Sequence, residues 1–257
     1  MPYQIILTLI SGIFISGIAG YLGTLMLSKK MSVVAGPLAH LAFPGVALAL
    51  IFGFNISFGV FPFVILGAIF IWYFEKRTKL PMENLAAVIF AIGVGTALLF
   101  LPIGKAEEAL VGSINKITFG ETIVVVSLST LIFFIVKNLY QKMMLVNIDE
   151  DLAKTEGINV SKYNLLYLLS IAIVIALSVY LVGGLITAAL VAIPAAAAKN
   201  VSRDLKSYIR LATFFGIISA VTGIVIAQFI HLPIGPMVIV TNAILFLISV
   251  FLMKRIF

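Results

Sequence analysis

Long apolar stretches separated by short polar segments dominate the chain, and they predict helices that cross a membrane. A helix needs roughly 20 apolar residues to span a hydrocarbon core of about 30 Å. Cutting the chain at its charged residues leaves nine segments of about this length, at 3–28, 31–53, 56–74, 84–104, 120–136, 163–182, 184–198, 207–230 and 236–253. We therefore predict an all-α polytopic membrane protein with eight or nine transmembrane helices, preferably nine, in a single transmembrane domain over residues 1–257.

The composition agrees with lipid as the main solvent of the chain. Hydrophobic residues make up 62% of the sequence and charged residues only 11%, whereas soluble domains contain about 45–50% apolar and about 25% charged residues. This composition excludes a soluble enzyme, a nucleic-acid-binding domain and a disordered protein. The chain has no cysteine, which also excludes disulfides, thiolate metal sites and thiol catalysis.

The basic residues predict the orientation of the helices. Fifteen of the 17 Lys and Arg residues fall on one side, in the segments 29–30, 75–83, 137–162, 199–206 and 254–255 together with Arg210. Only Lys105 and Lys116 fall on the other side. Because basic loops stay in the cytoplasm, we predict that the N-terminus and the loop at 105–118 lie outside and the C-terminus lies in the cytoplasm. The net charge of +7 then reports orientation, and no nucleic-acid partner is expected.

The second predicted span, residues 31–53, has the features of a substrate path. His40 is its tenth residue and lies about 14 Å into the span, near the midplane. Two prolines remove backbone donors and a glycine loosens the helix, and carbonyls freed in lipid need partners in protein or in a water-filled cavity. An ionisable side chain at this depth, in a broken helix, is typical of a substrate path. The candidate path residues are Gly36, Pro37, His40, Pro44 and Gly45.

Both histidines also have a structural interpretation. The imidazole of His40 could hydrogen-bond a neighbouring serine or a backbone carbonyl that Pro44 frees, with no contact to a substrate. His231 lies in a turn-rich loop after the eighth predicted span. It could contact a substrate that arrives from outside, but we expect it to be an ordinary surface histidine.

A polar segment between the fifth and sixth predicted spans predicts a short cytoplasmic helix. Asp149, Glu150 and Asp151 are placed where a helix start favours acidic groups, and either Asn147 or Asp149 can be the N-cap. Gly157 is placed where a C′ glycine is expected. So short a helix is marginal by itself in water, so we expect it to pack against its own spans or against a partner protein.

Several mechanisms are disfavoured by what the sequence lacks. It has no Gly-x-x-x-x-Gly-Lys-Ser/Thr motif for binding ATP phosphates and no His-Glu-x-x-His metalloprotease motif. No carboxylate lies deep in a predicted span, which argues against a proton-driven carrier.

Three stretches together resemble the membrane permease subunits of the metal-ion ABC transporters, the class that takes up zinc, manganese or iron. They are Ala39-His40 with Pro44-Gly45-Val-Ala-Leu-Ala, the segment 149–157, and Gly184-Leu-Ile-Thr-Ala-Ala-Leu-Val-Ala-Ile-Pro-Ala-Ala-Ala-Ala198 followed by Leu232-Pro-Ile-Gly235. The resemblance implies a homodimer in the lipid of the inner or plasma membrane, two cytoplasmic ABC ATPase subunits that bind ATP, and an extracytoplasmic solute-binding protein. It also implies a coupling region that meets the ATPase, formed by Asp149, Glu150, Asp151, Ala153, Glu156 and Gly157.

The chain departs from the family pattern at two positions. The family's second span usually carries an Asp four residues before the His and a Ser immediately before it, and these positions are Gly36 and Ala39 here. A metal path built from Asp and His would therefore lack its anionic ligand in this chain.

The sequence as a whole predicts a transport subunit. The leading hypothesis is a permease that moves a divalent metal ion inward, with zinc and manganese as the first candidates, His40 as a transient metal ligand, no cofactor of its own, and ATP hydrolysis in the partner. The alternatives are an ABC permease for a metal chelate or a small organic solute, and a stand-alone secondary carrier.

Overall fold

The computed structural model describes residues 2–28, 32–100, 117–184 and 187–253. Within these ranges the chain is helical and contains no strand, which confirms the predicted all-α class. The helices are α1 (Pro2–Ser28), α2 (Ser32–His40), α3 (Ala42–Phe52), α4 (Ile56–Thr78), α5 (Met82–Phe100), α6 (Phe119–Ile148), α7 (Glu150–Thr155), α8 (Val160–Val182), α9 (Thr187–Val201), α10 (Leu205–Ile230) and α11 (Ile234–Leu252).

Seven helical segments in the described ranges are long and apolar enough to cross a membrane. They are α1, the α2–α3 pair, α4, α6, α8, α10 and α11. The other two predicted spans, 84–104 and 184–198, correspond to the shorter apolar helices α5 and α9. The loop with Lys105 and Lys116 lies outside the described residues, and the predicted orientation stays a prediction.

Small residues bring the helices around α1 into backbone contact. A Cβ on Gly20 would overlap the carbonyl oxygen of Ala212 in α10, and a Cβ on Gly23 would overlap that of Val191 in α9. Close approach through glycine and alanine is the usual way in which membrane helices pack. The Ala-rich helix α9 packs against α1, α10 and α11, and its residue Ala195 is fully buried.

Two long-range hydrogen bonds join helices near the short helix α7. Asn147 at the end of α6 donates from Nδ2 to the carbonyl oxygen of Leu25 in α1 (3.2 Å). Trp72 in α4 donates from Nε1 to the carbonyl oxygen of Ser161 at the start of α8 (2.9 Å). These contacts hold the ends of α6 and α8 against α1 and α4. Because α6 and α8 flank α7, both ends of α7 start from fixed positions.

Candidate functional site

The second span is interrupted directly after His40, as the two prolines predict. Leu41 separates α2 from α3, but its backbone stays in the right-handed helical region (φ −65°, ψ −14°). Its N–H still donates to the carbonyl oxygen of Pro37 at 3.3 Å. The interruption is therefore a local change of hydrogen bonding and not a wide turn.

Two glycines make room for the side chain of Leu41 at the interruption. A Cβ on Gly67 of α4 would overlap Leu41 Cδ1, and a Cβ on Gly93 of α5 would lie 3.0 Å from Leu41 Cδ2. The same added Cβ on Gly93 would lie 3.4 Å from the carbonyl oxygen of His40. That carbonyl is the one freed by Pro44, since a proline has no N–H to donate to the residue four positions earlier. The backbone of α5 at Gly93 therefore packs directly against the interruption.

The imidazole of His40 lies between two phenylalanine rings. Its centroid is 5.2 Å from that of Phe43 and 4.9 Å from that of Phe90 in α5. The His40 side chain is half-buried, and its Nδ1 atom is buried with no hydrogen-bond partner among the described residues. A buried polar atom without a partner is rare. The structural interpretation of His40 needs an imidazole hydrogen bond, and Nδ1 makes none with the part of the chain that is described.

Gly36 lies one helical turn before His40, on the same side of α2. It is half-buried, and a Cβ placed on it would meet no atom of the described residues within 4 Å. Pro37 is half-buried as well. The structure therefore brings three of the candidate path residues together on one partly accessible stretch of α2, with open space beside position 36.

The other two candidate path residues, Pro44 and Gly45, are buried in helix packing. Pro44 lines an apolar cavity of about 360 Å³ between α3, α4 and α5. A Cβ on Gly45 would overlap the carbonyl oxygen of Gly59 in α4, and the reverse holds for a Cβ on Gly59. The contact between Gly45 and Gly59 thus sets the distance between α3 and α4. It fixes the position of α3, the part of the broken span that follows Leu41.

Phe43 connects the second span to the stretch that begins at Gly184. A Cβ on Gly184 would lie 2.5 Å from Cε1 of the Phe43 ring, so this ring rests on the backbone of Gly184. The contact unites two of the three sequence stretches that carry the family resemblance. Residues 185–186 of the third stretch lie outside the described residues.

A complete metal coordination sphere is not formed by the described residues of one chain. No group of three or more His, Cys, Asp or Glu side chains within the described ranges could hold a metal ion. His40 could therefore supply one ligand to a passing ion, while further ligands would have to come from water or from a second copy of the chain.

Asp149 begins the short helix α7, as one of the two predicted N-caps. Its Oδ1 accepts from the N–H groups of Asp151 (3.0 Å) and Leu152 (2.9 Å). The Lys154 ammonium lies 2.9 Å from Asp151 Oδ1. This pair lowers the pKa of the Asp151 carboxyl and raises the pKa of Lys154, so both groups are charged at neutral pH.

Gly157 ends α7 in the left-handed conformation predicted for it (φ 73°). Its N–H donates to the carbonyl oxygen of Lys154 (3.0 Å), and the N–H of Ile158 donates to that of Ala153 (2.9 Å). Together these two bonds form a Schellman motif, which satisfies the last carbonyls of the helix.

Helix α7 packs with one side and exposes the other. Ala153 is fully buried, whereas Leu152 is 48% exposed and Ile148 just before the helix is 69% exposed. Asp149, Asp151 and Glu156 are exposed around them, while Glu150 is half-buried. The exposed side of α7 therefore combines apolar side chains with carboxylates and the Lys154 ammonium, a surface suited to a protein partner.

Glu121 is a polar link between helices that the sequence analysis missed. Its carboxylate accepts from Thr118 N (2.8 Å) and Thr118 Oγ1 (2.9 Å) in a capping box at the start of α6. Asn55 at the start of α4 donates to it (2.5 Å), and so does the Tyr180 hydroxyl in α8. The Thr-x-x-Glu spacing at 118–121 is the sequence signal that could have identified the capping box.

Comparison with known proteins gives consistent matches over nearly the whole chain. The model of the ABC 3 transport family matches residues 2–253. The chain is 30% identical over 257 residues to the high-affinity zinc uptake system membrane protein ZnuB of Haemophilus influenzae, covering 96% of this chain and 97% of that protein. It is 25% identical over 251 residues to the manganese import system permease protein ScaB of Streptococcus gordonii, covering 96% and 90%.

Two solved structures share the fold. PsaBC from Streptococcus pneumoniae in complex with Fab has a TM-score of 0.83 and 25% identity, covering 96% of this chain and 91% of that chain. A metal-chelate type ABC transporter in an inward-facing conformation has a TM-score of 0.75 and 19% identity, covering 95% and 84%.

Proposed function

This chain belongs to the ABC 3 transport family, and from that premise we propose that it is the permease of an importer for a divalent transition-metal ion. Relatives named for zinc uptake and for manganese import support this cargo. Membership of an ABC family sets the stand-alone carrier aside. The chain is a multi-pass protein of the cell membrane, and ATP binding and hydrolysis are assigned to its ATPase partner.

His40 is the observation that supports a metal cargo most directly. Its Nδ1 atom is buried without a partner among the described residues, and its half-buried ring lies one helical turn from Gly36. A neutral imidazole nitrogen is a good ligand for zinc and similar ions, whereas manganese is better served by carboxylates. With glycine in place of the family's Asp at position 36, zinc fits this site better than manganese.

A homodimer would give the metal ion two protein ligands in place of the single His40 of one chain. Two His40 side chains, one from each copy, could approach one ion while water supplies the remaining ligands. A site with so few anionic ligands binds weakly, and a conduit requires this because the ion must leave again. Gly36 and Pro37 would line the same path. Pro44 and Gly45 would hold α3, the second helix of the broken span, in place.

The exposed side of α7 would couple the path to the ATPase. Asp149 and Gly157 fix the two ends of the helix and Ala153 anchors it to the permease. Asp151 and Glu156, with the half-buried Glu150, then present carboxylates around the exposed Leu152. In this arrangement the ATPase would move α7 as a rigid unit, and an extracytoplasmic solute-binding protein would deliver the ion at the opposite face.

A metal chelate or a small organic solute is the second candidate, and the open space at Gly36 is the observation that favours it. Reconstitution in proteoliposomes with the candidate ATPase and solute-binding protein separates the two. Free zinc should stimulate ATP hydrolysis and accumulate inside the vesicles. If only a chelated metal or an organic solute does so, the second candidate is correct.

A further inference from the structure

A groove with three cationic side chains lies between α1, α6 and α10, and neither the candidate path residues nor the residues of α7 line it. Lys137 of α6 and Lys206 and Arg210 of α10 are exposed at its rim. The groove has a volume of about 620 Å³, and its other lining residues are Tyr21, Phe133, Ile209, Thr213, Phe214 and Ile217. We call it the basic groove. None of the described residues that line it is acidic.

An apolar cavity of about 390 Å³ continues the basic groove along the helices. The two share Phe133, Thr213 and Ile217, and the apolar part extends to Ser129 and Thr130 in α6. Its remaining lining residues are Ile13, Phe14, Gly17, Ile18 and Phe134. At 1.5 Å per residue, Ser129 lies about 12 Å along α6 from Lys137. The combined space is therefore charged at one end and apolar over the rest of its length.

The cations of the basic groove lie at the level where a membrane surface is expected. Arg210 is near the start of α10, and the residues from 211 to the end of that helix include no charged side chain. Lys137 lies in the half of α6 that leads to α7. Both ends belong to the predicted cytoplasmic side, where basic pockets between membrane helices bind lipid head groups.

Local contacts hold Lys137 and Arg210 in place without neutralising them. Lys137 Nζ lies 5.9 Å from the centroid of the Phe133 ring, and Arg210 Nε donates to the carbonyl oxygen of Lys206 (3.4 Å). The closest acidic residue along α10 is its N-cap Asp204, whose Oδ1 accepts from Ser207 N (2.7 Å). Asp204 does not line the groove. The charge of the basic groove therefore calls for an anion from outside the chain.

We propose that the basic groove binds an anionic phospholipid of the cytoplasmic leaflet. Its phosphodiester lies against Lys137, Lys206 and Arg210, and one acyl chain follows Phe133 and Ile217 into the apolar cavity. A free phosphate would leave that apolar surface uncovered. A second copy of the chain whose two-fold axis passed through the groove would bring the same three cations opposite it and would be repelled.

The test uses the purified full-length chain titrated with phosphatidylglycerol or with phosphatidylcholine, with bound lipid counted by native mass spectrometry. The wild type should retain phosphatidylglycerol preferentially. Each cation near an anionic head group contributes about 1 kcal/mol, so the triple variant Lys137→Gln, Lys206→Gln, Arg210→Gln should bind phosphatidylglycerol roughly 100-fold more weakly. The matched control Lys76→Gln, Arg77→Gln, Lys79→Gln removes the same charge elsewhere on the predicted cytoplasmic side and should keep the wild-type affinity.

A further variant separates a lipid from a free anion. Thr130→Phe fills the apolar cavity without changing any charge, so it should weaken phosphatidylglycerol binding and leave the weak binding of inorganic phosphate unaltered. Equal binding of the two lipids by the wild type, or an undiminished preference in the triple variant, would overturn the proposal. It would also fail if the control lost the preference equally, or if inorganic phosphate displaced the lipid at equal concentration. Disulfide cross-linking of two copies of the variant Phe214→Cys would overturn it as well, because the groove would then be a contact between copies. None of these measurements depends on the transported cargo.

Discussion

The ring of Phe43 rests on the backbone of Gly184, where an added Cβ would fall 2.5 Å from Phe43 Cε1. The centroid of the same ring is 5.2 Å from that of the His40 imidazole. Gly184, just after α8, therefore positions the Phe43 ring, and that ring positions the His40 side chain. His40 is the residue to which we assign the transient binding of the ion.

We expect Gly184→Ala to impair transport while the protein remains folded. The added methyl must displace the Phe43 ring, at a cost of about 1–3 kcal/mol for an overpacked site, and the His40 imidazole would shift with that ring. Metal uptake into proteoliposomes and thermal unfolding measure the two effects. Gly120→Ala, where an added Cβ meets none of the described atoms within 4 Å, is the control and should change neither. Normal uptake by Gly184→Ala would show that Phe43 does not position His40.

The contact between Gly45 and Gly59 should be a weak point of the membrane fold. Gly45→Ala forces α3 and α4 apart, because its Cβ would overlap a backbone oxygen that cannot move independently. We expect a loss of about 1–3 kcal/mol, visible as a lower midpoint of thermal unfolding in detergent. Gly95→Ala in α5, where an added Cβ would meet no atom of the described part of the chain within 4 Å, should instead leave the midpoint unchanged or raise it slightly. Similar midpoints for the two variants would contradict the close contact.

Replacement of Gly157 should uncouple ATP hydrolysis from transport. Valine in the left-handed conformation costs about 1–2 kcal/mol, which would disrupt the Schellman motif and the position of α7. Stimulated ATP hydrolysis and metal uptake should both fall in reconstituted vesicles. Gly53 at the end of α3 has the same φ of 73° but lies far from α7. Gly53→Val therefore reproduces the strain without uncoupling, and unchanged coupling in Gly157→Val would show that α7 is not the coupling element.

The predicted orientation can be tested at the two ends of α4. Phe54 and Thr78 are both exposed and flank the same helix, and the chain has no native cysteine. A membrane-impermeant thiol reagent should label Phe54→Cys in intact cells and should label Thr78→Cys only after the cells are opened. The reverse labelling pattern would invert the topology.

Local signals in the sequence predicted the features that depend on a few neighbouring residues. Asp149 as N-cap and Gly157 as C′ residue of α7 are both observed. The interruption of the second span is also observed, because Pro37 and Pro44 remove hydrogen bonds whatever surrounds them. The capping box of Thr118 and Glu121 depends on equally local residues.

Contacts between distant parts of the chain could not be read from the sequence. That Leu41 lies between Gly67 and Gly93, or that Phe43 rests on Gly184, depends on how α4, α5 and α8 pack together. Small residues indicate that helices approach closely, but they do not say which helix is the partner. For the same reason the sequence grouped Pro44 and Gly45 with His40, whereas the structure buries both of them in the packing of α3 and α4.

The most direct test of a metal path at His40 compares uptake of radioactive zinc by His40→Ala, Gly36→Asp and the control His231→Asn, each reconstituted with its ATPase and solute-binding protein. Loss of the ligand in His40→Ala should reduce uptake roughly 10-fold or more, the effect of about 1.4 kcal/mol of ligation. Gly36→Asp has space for its carboxylate and should bind zinc more tightly, and His231→Asn, at an exposed helix end, should transport normally. Wild-type zinc uptake by a folded His40→Ala variant, or a Gly36→Asp variant that is destabilised with no gain in zinc affinity, would contradict a metal path at His40.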